Sequence, residues 1–446
     1  MALTGIQIYK LLPQTNCKDC GFPTCLAFAM KLAAKQVELA ACPHVTEDAA
    51  TALAESAAPP IRLITLRADG HEAKAGNEVV MFRHEKTFYN PPGIFICLHD
   101  DLAPKELESR LRQAESFKTS YVGIELAVDG YAVESTGGDE HRFAETISLV
   151  RSGTKRPLIL ISSSSDVMAS GLQALPGETP LIHAADESNW ESMAELSRSH
   201  GAPLAVTANS LETLADLVEK IKATGVEDLV LDPGGKELSG GLIQSTQIRR
   251  LAIKSHFRPL GYPLIAFPGR AGGVGSEAVS AAQSIVKYAG FIVLDSQDPE
   301  LLYSLLVLRQ NIYTDPQKPI QVQPGLYEIN NPGPDDPLLA TTNFSITYFS
   351  VANEVEGSGL PAWLLVCDAE GMSVLTAWAA GKFDAERIAK DLKEFGVTDK
   401  VTAKRIVVPG HVAVISGELE EELPGWEVRV GPREAVDLPA FMKQAL

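Results

Sequence analysis

Four of the six cysteines in this chain of 446 residues lie close together near its beginning. Cys17, Cys20, Cys25 and Cys42 follow the spacing C-x2-C-x4-C-x16-C. Such a group of thiols in a chain otherwise poor in cysteine indicates ligation of a metal or a metal cluster. Four-thiolate zinc sites usually contain two C-x2-C pairs, whereas the second pair here is widely separated. The spacing and the Cys42-Pro43 ending favour a [4Fe–4S] cluster, with zinc as the alternative.

The other chemically active residues give weaker signals. Cys97 and Cys367 lie inside apolar segments, so we expect them to be core residues rather than ligands. His99 and His183 lie near the ends of predicted strands, but neither has a partner at the spacing of metal ligands. The cysteine quartet is therefore the metal site that the sequence predicts.

The composition predicts a folded cytoplasmic protein of two or three domains. Hydrophobic residues make up 45% of the chain and charged residues 22%, as is ordinary for folded proteins. The formal net charge of −18 argues against binding to nucleic acid, which requires a basic surface. No apolar run reaches the roughly 18 residues of a membrane span, and the first residues lack the pattern of a signal peptide.

Residues 1–57 are predicted to form a small helical domain that carries the cluster cysteines. Within it, Cys25 begins a predicted helix that runs to about Glu38, and Ala57–Pro60 is typical of a linker. Residues 58–93 are predicted to contain this linker and a strand pair, Ile61–Leu66 with Val79–Arg83.

Residues 94–325 show a regular alternation of short apolar runs and amphipathic segments, which predicts a (β/α)8 barrel. A doubly wound open sheet is the alternative, but eight nearly equal units favour closure. The eight predicted strands are Ile94–Leu98, Tyr121–Leu126, Leu158–Ile161, Leu181–Ala184, Leu204–Thr207, Leu229–Leu231, Leu264–Phe267 and Phe291–Leu294.

Polar residues follow several of these strands, at the end of a barrel where function is found. They are Asp100, Asp186, Asn209, Asp232 and Asp295. Asn209 and Asp232 are candidates for binding a pterin ring, as in barrel methyltransferases, but capping of the next helix is the favoured explanation, because no nucleophile, histidine pair or carboxylate pair accompanies them. The run from Gly269 to Gly275 is a weak candidate for a phosphate loop.

Residues 326–446 predict a doubly wound α/β domain in which ligands bind outside the carboxyl ends of the strands. Its predicted strands are Phe344–Val351, Trp363–Cys367, Arg405–Val408, Val412–Ile415 and Trp426–Val430, and its predicted helices are Val374–Ala380, Ala385–Glu394 and Arg433–Gln444. The fold class is therefore α/β, with a helical N-terminal domain, a central barrel and a smaller C-terminal sheet.

The order of these segments, and the motifs NCKDCGFPTC, TTNFSITY, GMSVLTAW and GPREA, resemble the large subunit of the corrinoid/iron–sulfur protein of the reductive acetyl-CoA pathway. The resemblance extends over essentially the whole chain. It implies a methyl carrier, of methyltransferase type, with two cofactors, a [4Fe–4S] cluster and a corrinoid (cobamide). Cobalt(I) of the corrinoid would accept the methyl group of methyltetrahydrofolate, and the cluster would reduce cobalt(II) back to cobalt(I).

The same resemblance implies three protein partners and a set of binding residues. The partners are a small subunit that completes a heterodimer, the methyltetrahydrofolate methyltransferase, and CO dehydrogenase/acetyl-CoA synthase. The motifs assign the cluster to the four cysteines and the corrinoid to residues 326–446, with Thr376 near the lower face of cobalt. The corrinoid-binding residues carried over are Thr342, Tyr348, Met372, Ser373, Val374, Leu375, Thr376, Gly431, Pro432, Arg433 and Ala435.

Many cobalamin-binding domains contain D-x-H-x-x-G, whose histidine coordinates cobalt from below. This chain lacks that motif, because His411 lies in Pro-Gly-His-Val-Ala without an aspartate two positions earlier. The absence of an axial donor favours the lowest oxidation state of a metal, and the axial ligand tunes the reduction potential of haem in the same way. We therefore expect a base-off corrinoid without a histidine ligand.

Overall fold

The computed structural model describes residues 5–34, 36–46, 49–50, 53, 59–235, 237–315 and 320–445. Ala57 and Ala58 of the predicted linker, and other parts of the segment 1–57, lie outside these ranges. The chain forms two compact units. The first comprises Met1–Met81, Tyr89–Arg112 and Asp129–Gln297, and the second comprises Phe82–Phe88, Gln113–Val128 and Asp298–Leu446.

The N-terminal residues form a small helical module, as predicted. Its helices are Gly5–Leu11 and Cys25–Ala33, followed by a 3-10 turn at Leu39–Ala41. Thr24 caps the second helix, since its hydroxyl accepts a hydrogen bond from the Ala27 amide at 3.1 Å. The predicted helix to Glu38 is too long, because Ala34 has already left helical geometry. This early end lets the chain turn back and bring Cys42 beside Cys25 in one hydrophobic cluster.

A strand pair is present, but its second strand lies earlier in the sequence than predicted. Strand β1 (Ile64–Ala68) pairs with β2 (His71–Ala75) rather than with Val79–Arg83. The connecting residues Asp69 and Gly70 both have positive φ, 35° and 82°, as a two-residue hairpin turn requires. The inward residues of this hairpin pack with those of the barrel strands in one core.

Eight parallel strands close into a barrel, which confirms the central prediction. The strands that follow the hairpin are β3 (Gly93–His99), β4 (Thr119–Tyr121), β5 (Ile124–Leu126), β6 (Gly130–Glu134), β7 (Leu158–Ile161), β8 (Leu181–Ala185), β9 (Leu204–Thr207), β10 (Leu229–Asp232), β11 (Leu264–Ala266) and β12 (Ala289–Leu294). The order around the barrel is β10-β11-β12-β3-β6-β7-β8-β9.

Seven of the predicted barrel strands are correct, and the second is wrong. Tyr121–Leu126 does not enter the barrel; it forms the hairpin β4–β5 and belongs to the second unit. Val122 and Gly123 have positive φ, 50° and 79°, and turn the chain in the middle of this apolar run. The barrel position is taken by β6, where Gly130 is needed because a Cβ would collide with the ring of Phe95.

Helices alternate with the barrel strands. They are Pro104–Ser116, Glu140–Gly153, Ser165–Gln173, Trp190–His200, Leu211–Ala223, Leu238–Lys254, Val274–Val286 and Pro299–Tyr313, with 3-10 turns at Arg258–Leu260 and Pro268–Ala271. The last of these helices belongs to the second unit. None of the described helices is both long and apolar enough to cross a bilayer.

The second unit contains a five-stranded sheet in the order β13-β15-β14-β16-β17. Its strands are β13 (Gly325–Ile329), β14 (Leu338–Thr342), β15 (Ala362–Cys367), β16 (Arg405–Val408) and β17 (Glu427–Val430). Only β13 is antiparallel to its neighbour. The chain passes from β14 to β15 on one side and then crosses to β16 on the other. This reversal creates the crevice in which doubly wound domains bind ligands.

Two predicted strands of this unit are wrong. Phe344–Val351 lies almost wholly in the helix Ser345–Ser358, because β14 takes the central position in the sheet and leaves this segment no strand partner. Val412–Ile415 lies in the 3-10 segment Gly410–Ile415. Aromatic and β-branched residues favour strands only where a pleated surface receives them. The other helical segments are Val374–Ala379, Ala385–Glu394, Val397–Lys400, Ser416–Glu422, Ala435–Asp437 and Leu438–Ala445.

The segment predicted as strand Val79–Arg83 is held instead by buried polar contacts. The guanidinium of Arg249 donates to the carbonyl oxygen of Val80 at 2.6 Å and to the Glu78 carboxylate at 3.0 Å. The other Glu78 oxygen accepts from the amide of Tyr89 at 2.7 Å. We predict that Glu78→Ala lowers the free energy of unfolding by about 3 kcal/mol, because it leaves a buried charge without its counterion.

Chemical denaturation followed by circular dichroism measures this effect. Glu72→Ala is the matched control, because Glu72 forms surface ion pairs with Arg67 and Lys74 and its loss should change little. Equal stability of the two variants would contradict the structural role of Glu78.

Candidate functional site

The four N-terminal cysteines differ in exposure, and all are free thiols. Cys25 and Cys42 are buried, Cys20 is half-buried and Cys17 is exposed. Cys20, Cys25 and Cys42 pack in one hydrophobic cluster that includes Ile8 and Phe28. The fold thus packs three of the four thiols together and leaves Cys17 exposed to solvent.

The loop that carries the first thiols has an unusual backbone. Asn16, Lys18 and Gly21 have positive φ values of 48°, 70° and 83°. The Asn16 side-chain oxygen accepts a hydrogen bond from the Cys25 amide at 2.8 Å, so the loop is tied to the start of the helix Cys25–Ala33. The N-terminus of that helix favours negative charge. Four thiolates around a compact cluster carry such charge, so the residues present fit an iron–sulfur cluster.

Two further polar residues lie beside Cys17. Asp19 and His44 are exposed, and Asp19 Oδ2 is 2.6 Å from His44 Nε2. Hydrogen bonds from His44 and Cys17 lower the pKa of Asp19 below its usual value. The ligand atoms of Cys17, Asp19 and His44 all lie within 4.8 Å of one another. Sequence reasoning missed His44, although it follows Cys42 by two positions.

In the second unit, a cleft of about 610 Å³ lies at the carboxyl ends of β14 and β16. Seven of the residues that the resemblance assigned to the corrinoid line this cleft: Ser373, Val374, Leu375, Gly431, Pro432, Arg433 and Ala435. The cleft also contains Ile346 and Val436, which are 66% and 67% exposed. The lining combines these apolar groups with the charged side chains of Glu354, Arg433 and Glu434, so it suits a large ligand that has both apolar surface and polar groups.

The floor of the cleft contains an unsatisfied polar group. Thr341 is fully buried and lines the cleft, and its hydroxyl has no hydrogen-bond partner. A buried hydroxyl without a partner is costly unless a ligand or a water molecule satisfies it. This orphaned hydroxyl fits a ligand with amide or hydroxyl groups, such as the side chains of a corrinoid.

The four remaining predicted residues lie outside the cleft lining. Thr342 is fully buried, and Met372 packs against the core of the sheet. The Tyr348 ring lies 5.2 Å from the Tyr327 ring, and burial raises the pKa of Tyr348. Thr376 is exposed, with its hydroxyl 3.0 Å from that of Ser373. Their assignment to the corrinoid stays a prediction.

Asn343 positions the loop that follows β15. Its side-chain oxygen accepts hydrogen bonds from the amides of Ala369 and Gly371, both at 2.9 Å. Gly371 has φ +72° and lies where a Cβ would collide with Gln321. The loop that presents Ser373 to the cleft is thus built by a side chain from the end of β14. The partners of Asn343 lie in the loop after another strand, so only the tertiary structure reveals this role.

His411 also lies in the cleft lining. Its Nε2 is 3.8 Å from the Glu434 carboxylate, beyond hydrogen-bond distance. The imidazole therefore lies among the residues that would surround a bound corrinoid, and its role requires a direct test.

At the carboxyl end of the barrel, the strand-end residues fall into two groups. Asp100 accepts hydrogen bonds from Ser135 and Thr136, and Asp186 accepts from Ser188, as expected for residues that shape loops. Asn209 and Asp232 line a cavity of about 260 Å³. Asp232 Oδ2 is 2.9 Å from Nε2 of buried His183. Burial raises the pKa of Asp232, but the hydrogen bond and charge of His183, together with the Gly234 amide and the charge of Arg270, leave that pKa lowered.

The cysteine arrangement leads to a prediction about metal content. We expect Cys25→Ser to lose most of the iron and sulfide bound after anaerobic reconstitution, because it removes one of four thiolate ligands. Cys367→Ser is the control, since Cys367 is buried in β15 of the other unit and should retain full iron content. Zinc in place of iron in the wild-type chain would contradict the cluster.

The chain matches known proteins along its whole length. Residues 63–442 match the family model of the CO dehydrogenase/acetyl-CoA synthase delta subunit, and residues 12–44 match a second model, FeS, for an Fe-S cluster. The chain is 43% identical to the corrinoid/iron-sulfur protein large subunit of Moorella thermoacetica, over 100% of both chains.

Two archaeal relatives have the same extent. The acetyl-CoA decarbonylase/synthase complex subunit gamma of Archaeoglobus fulgidus is 36% identical over 98% of this chain and 97% of its own. Its counterpart in Methanopyrus kandleri is 33% identical over 99% and 98%. The chain therefore belongs to the family of corrinoid/iron-sulfur protein large subunits and acetyl-CoA decarbonylase/synthase gamma subunits.

Proposed function

We propose that this chain is the large subunit of a corrinoid/iron–sulfur protein of the acetyl-CoA pathway and carries a methyl group between two partner enzymes. The proposal rests on the presence, in one chain, of two separate sites whose residues suit the two cofactors. One is the cysteine quartet, and the other is the cleft of about 610 Å³ at the switch point of the C-terminal sheet. The relative from Moorella thermoacetica bears a name that includes both cofactors.

Each site has its own task in this proposal. Cys17, Cys20, Cys25 and Cys42 hold the [4Fe–4S] cluster, and Asn16 fixes the loop that presents the first three. Ser373–Leu375 and Gly431–Ala435 hold the edges of the corrinoid, and the Thr341 hydroxyl satisfies one of its polar groups. When bound, the corrinoid supplies cobalt as methyl acceptor and donor, and the cluster supplies the electron that restores it.

The partners follow from the same assignment. A cleft that is open along one side covers only part of a corrinoid, so we propose that a small subunit covers the rest. The methyl group comes from methyltetrahydrofolate through a separate methyltransferase and passes to acetyl-CoA synthase. No side chain of this chain needs to act as a nucleophile, since its residues bind the cofactor, orient it and exclude water.

The proposal as a whole predicts the metals of the complex with the small subunit. Metal analysis and an absorption spectrum of anaerobically purified complex should give cobalt, about four irons and the bands of a corrinoid. Zinc without cobalt would contradict it, and iron without a corrinoid would indicate an electron-transfer subunit instead.

Loss of the cluster should separate the two tasks. We predict that Cys20→Ala retains methyl transfer from cofactor that has been reduced chemically, but loses reactivation by a physiological electron donor. Single-turnover transfer and the recovery rate after oxidation measure the two activities. Cys367→Ala is the matched control and should retain both. Loss of transfer in prereduced Cys20→Ala would show that the cluster has a different role.

His411 provides a test of the base-off prediction. We expect the electron paramagnetic resonance spectrum of the cobalt(II) state to show no nitrogen splitting from the protein, and His411→Ala to leave it unchanged. The reason is that the loop around His411 lacks the D-x-H-x-x-G arrangement. A nitrogen splitting that disappears in His411→Ala would make His411 the axial ligand and overturn this prediction.

A further inference from the structure

Three potential metal ligands converge at the carboxyl end of the barrel, far from the cysteine quartet in sequence, and a fourth lies beside two of them. The ligand atoms of Cys97, His99 and Asp295 all lie within 4.8 Å of one another. The Glu134 carboxylate oxygen Oε2 lies 3.7 Å from Cys97 Sγ and 3.7 Å from His99 Nδ1. Together they offer one sulfur, one nitrogen and two carboxylates.

The barrel geometry explains why these residues meet. Side chains two apart on a strand point to the same face, so Phe95, Cys97 and His99 all point inward along β3. His99 pairs in register with Glu134 at the end of neighbouring β6. Asp295 follows β12, the neighbour on the other side, two residues after the inward-facing Val293. Three adjacent strands thus contribute to one layer at the end of the barrel where function is found.

Distance and access suit a small cation. A tetrahedral ion with Zn–S bonds of about 2.3 Å and Zn–N bonds of about 2.0 Å holds its ligand atoms about 3.5 Å apart. The separations of 3.7 Å from Glu134 are close to this value. The side chains of His99 and Glu134 are 32% and 29% exposed, so an ion can enter from the barrel mouth.

The local charge also favours a cation. The carboxylates of Glu134 and Asp295 lie at the same end of the barrel as the Cys97 thiol. The guanidinium of Arg270 is 3.8 Å from the second carboxylate oxygen of Glu134, Oε1. Gly269 leaves room for Asp295, since a Cβ there would collide with that carboxylate.

We propose that Cys97, His99, Glu134 and Asp295 bind one divalent transition-metal ion of the zinc class. Mixed sulfur, nitrogen and oxygen ligands suit such an ion, whereas calcium and magnesium prefer oxygen alone. On binding, the Cys97 thiol releases its proton to solvent and a metal–sulfur bond forms, with no change in oxidation state. The site lies outside both the cysteine quartet and the C-terminal cleft, and its existence does not depend on the proposed function.

Zinc titration of the full chain, with its N-terminal cluster already in place, tests the proposal. We expect the wild type to bind one zinc ion that gives an X-ray absorption signal of one sulfur with nitrogen and oxygen neighbours. Asp295→Asn and Cys97→Ser should weaken this binding by more than the roughly 10- to 100-fold that loss of an outer partner costs. Asp295 is exposed, so its replacement should leave the fold intact, as circular dichroism would show.

Three control variants separate this site from others. Cys367→Ser removes the other buried strand cysteine, Asp186→Asn removes another carboxylate at a strand end, and His44→Ala removes a ligand candidate beside Cys17. All three should bind zinc as the wild type does. A wild-type chain that binds no zinc would overturn the proposal. So would a signal of four sulfurs, or a loss of affinity in His44→Ala but not in Asp295→Asn.

Discussion

Parallel strand pairing is the constraint on which the functional surfaces of both units depend. Parallel strands all end at the same edge, so side chains that follow different strands become neighbours there. In the barrel, this gathers residues from β12, β3 and β6 at one mouth. In the C-terminal sheet, the reversal of strand order at β14 opens a crevice between β14 and β16. Each candidate site apart from the cysteine quartet lies at such an edge.

The cysteine quartet follows a different rule. A cluster of four thiolates needs backbone that bends around it, and the loop Asn16–Gly21 does so with three residues of positive φ. Only one of these is glycine, so the conformation is held by local contacts such as the hydrogen bond between Asn16 and the Cys25 amide. The site is therefore nearly local in sequence, and the spacing of its cysteines is enough to predict it.

Prediction of the fold succeeded where periodicity was strong and failed where turn chemistry decided the outcome. The eight-unit alternation predicted the barrel, but Val122-Gly123 turns the chain inside an apolar run, and Asp69-Gly70 turns it before a mostly polar strand, His71–Ala75. Phe344–Val351 has the residue types of a strand and folds as a helix, because a neighbouring segment takes the central position in the sheet. Local preference is weaker than the competition for a buried position.

The sequence by itself determined the barrel and the family resemblance, since these rest on periodicity and on motifs, and local spacing alone predicts the cysteine ligand set. Seven of the eleven residues that the resemblance assigns to the corrinoid line the cleft. Tertiary structure alone decided that Asn343 builds the loop after β15 and that the side chains of Cys97, His99 and Asp295 lie close together. These contacts join residues from different strands, and only the closed barrel and the strand order bring such residues within bonding distance.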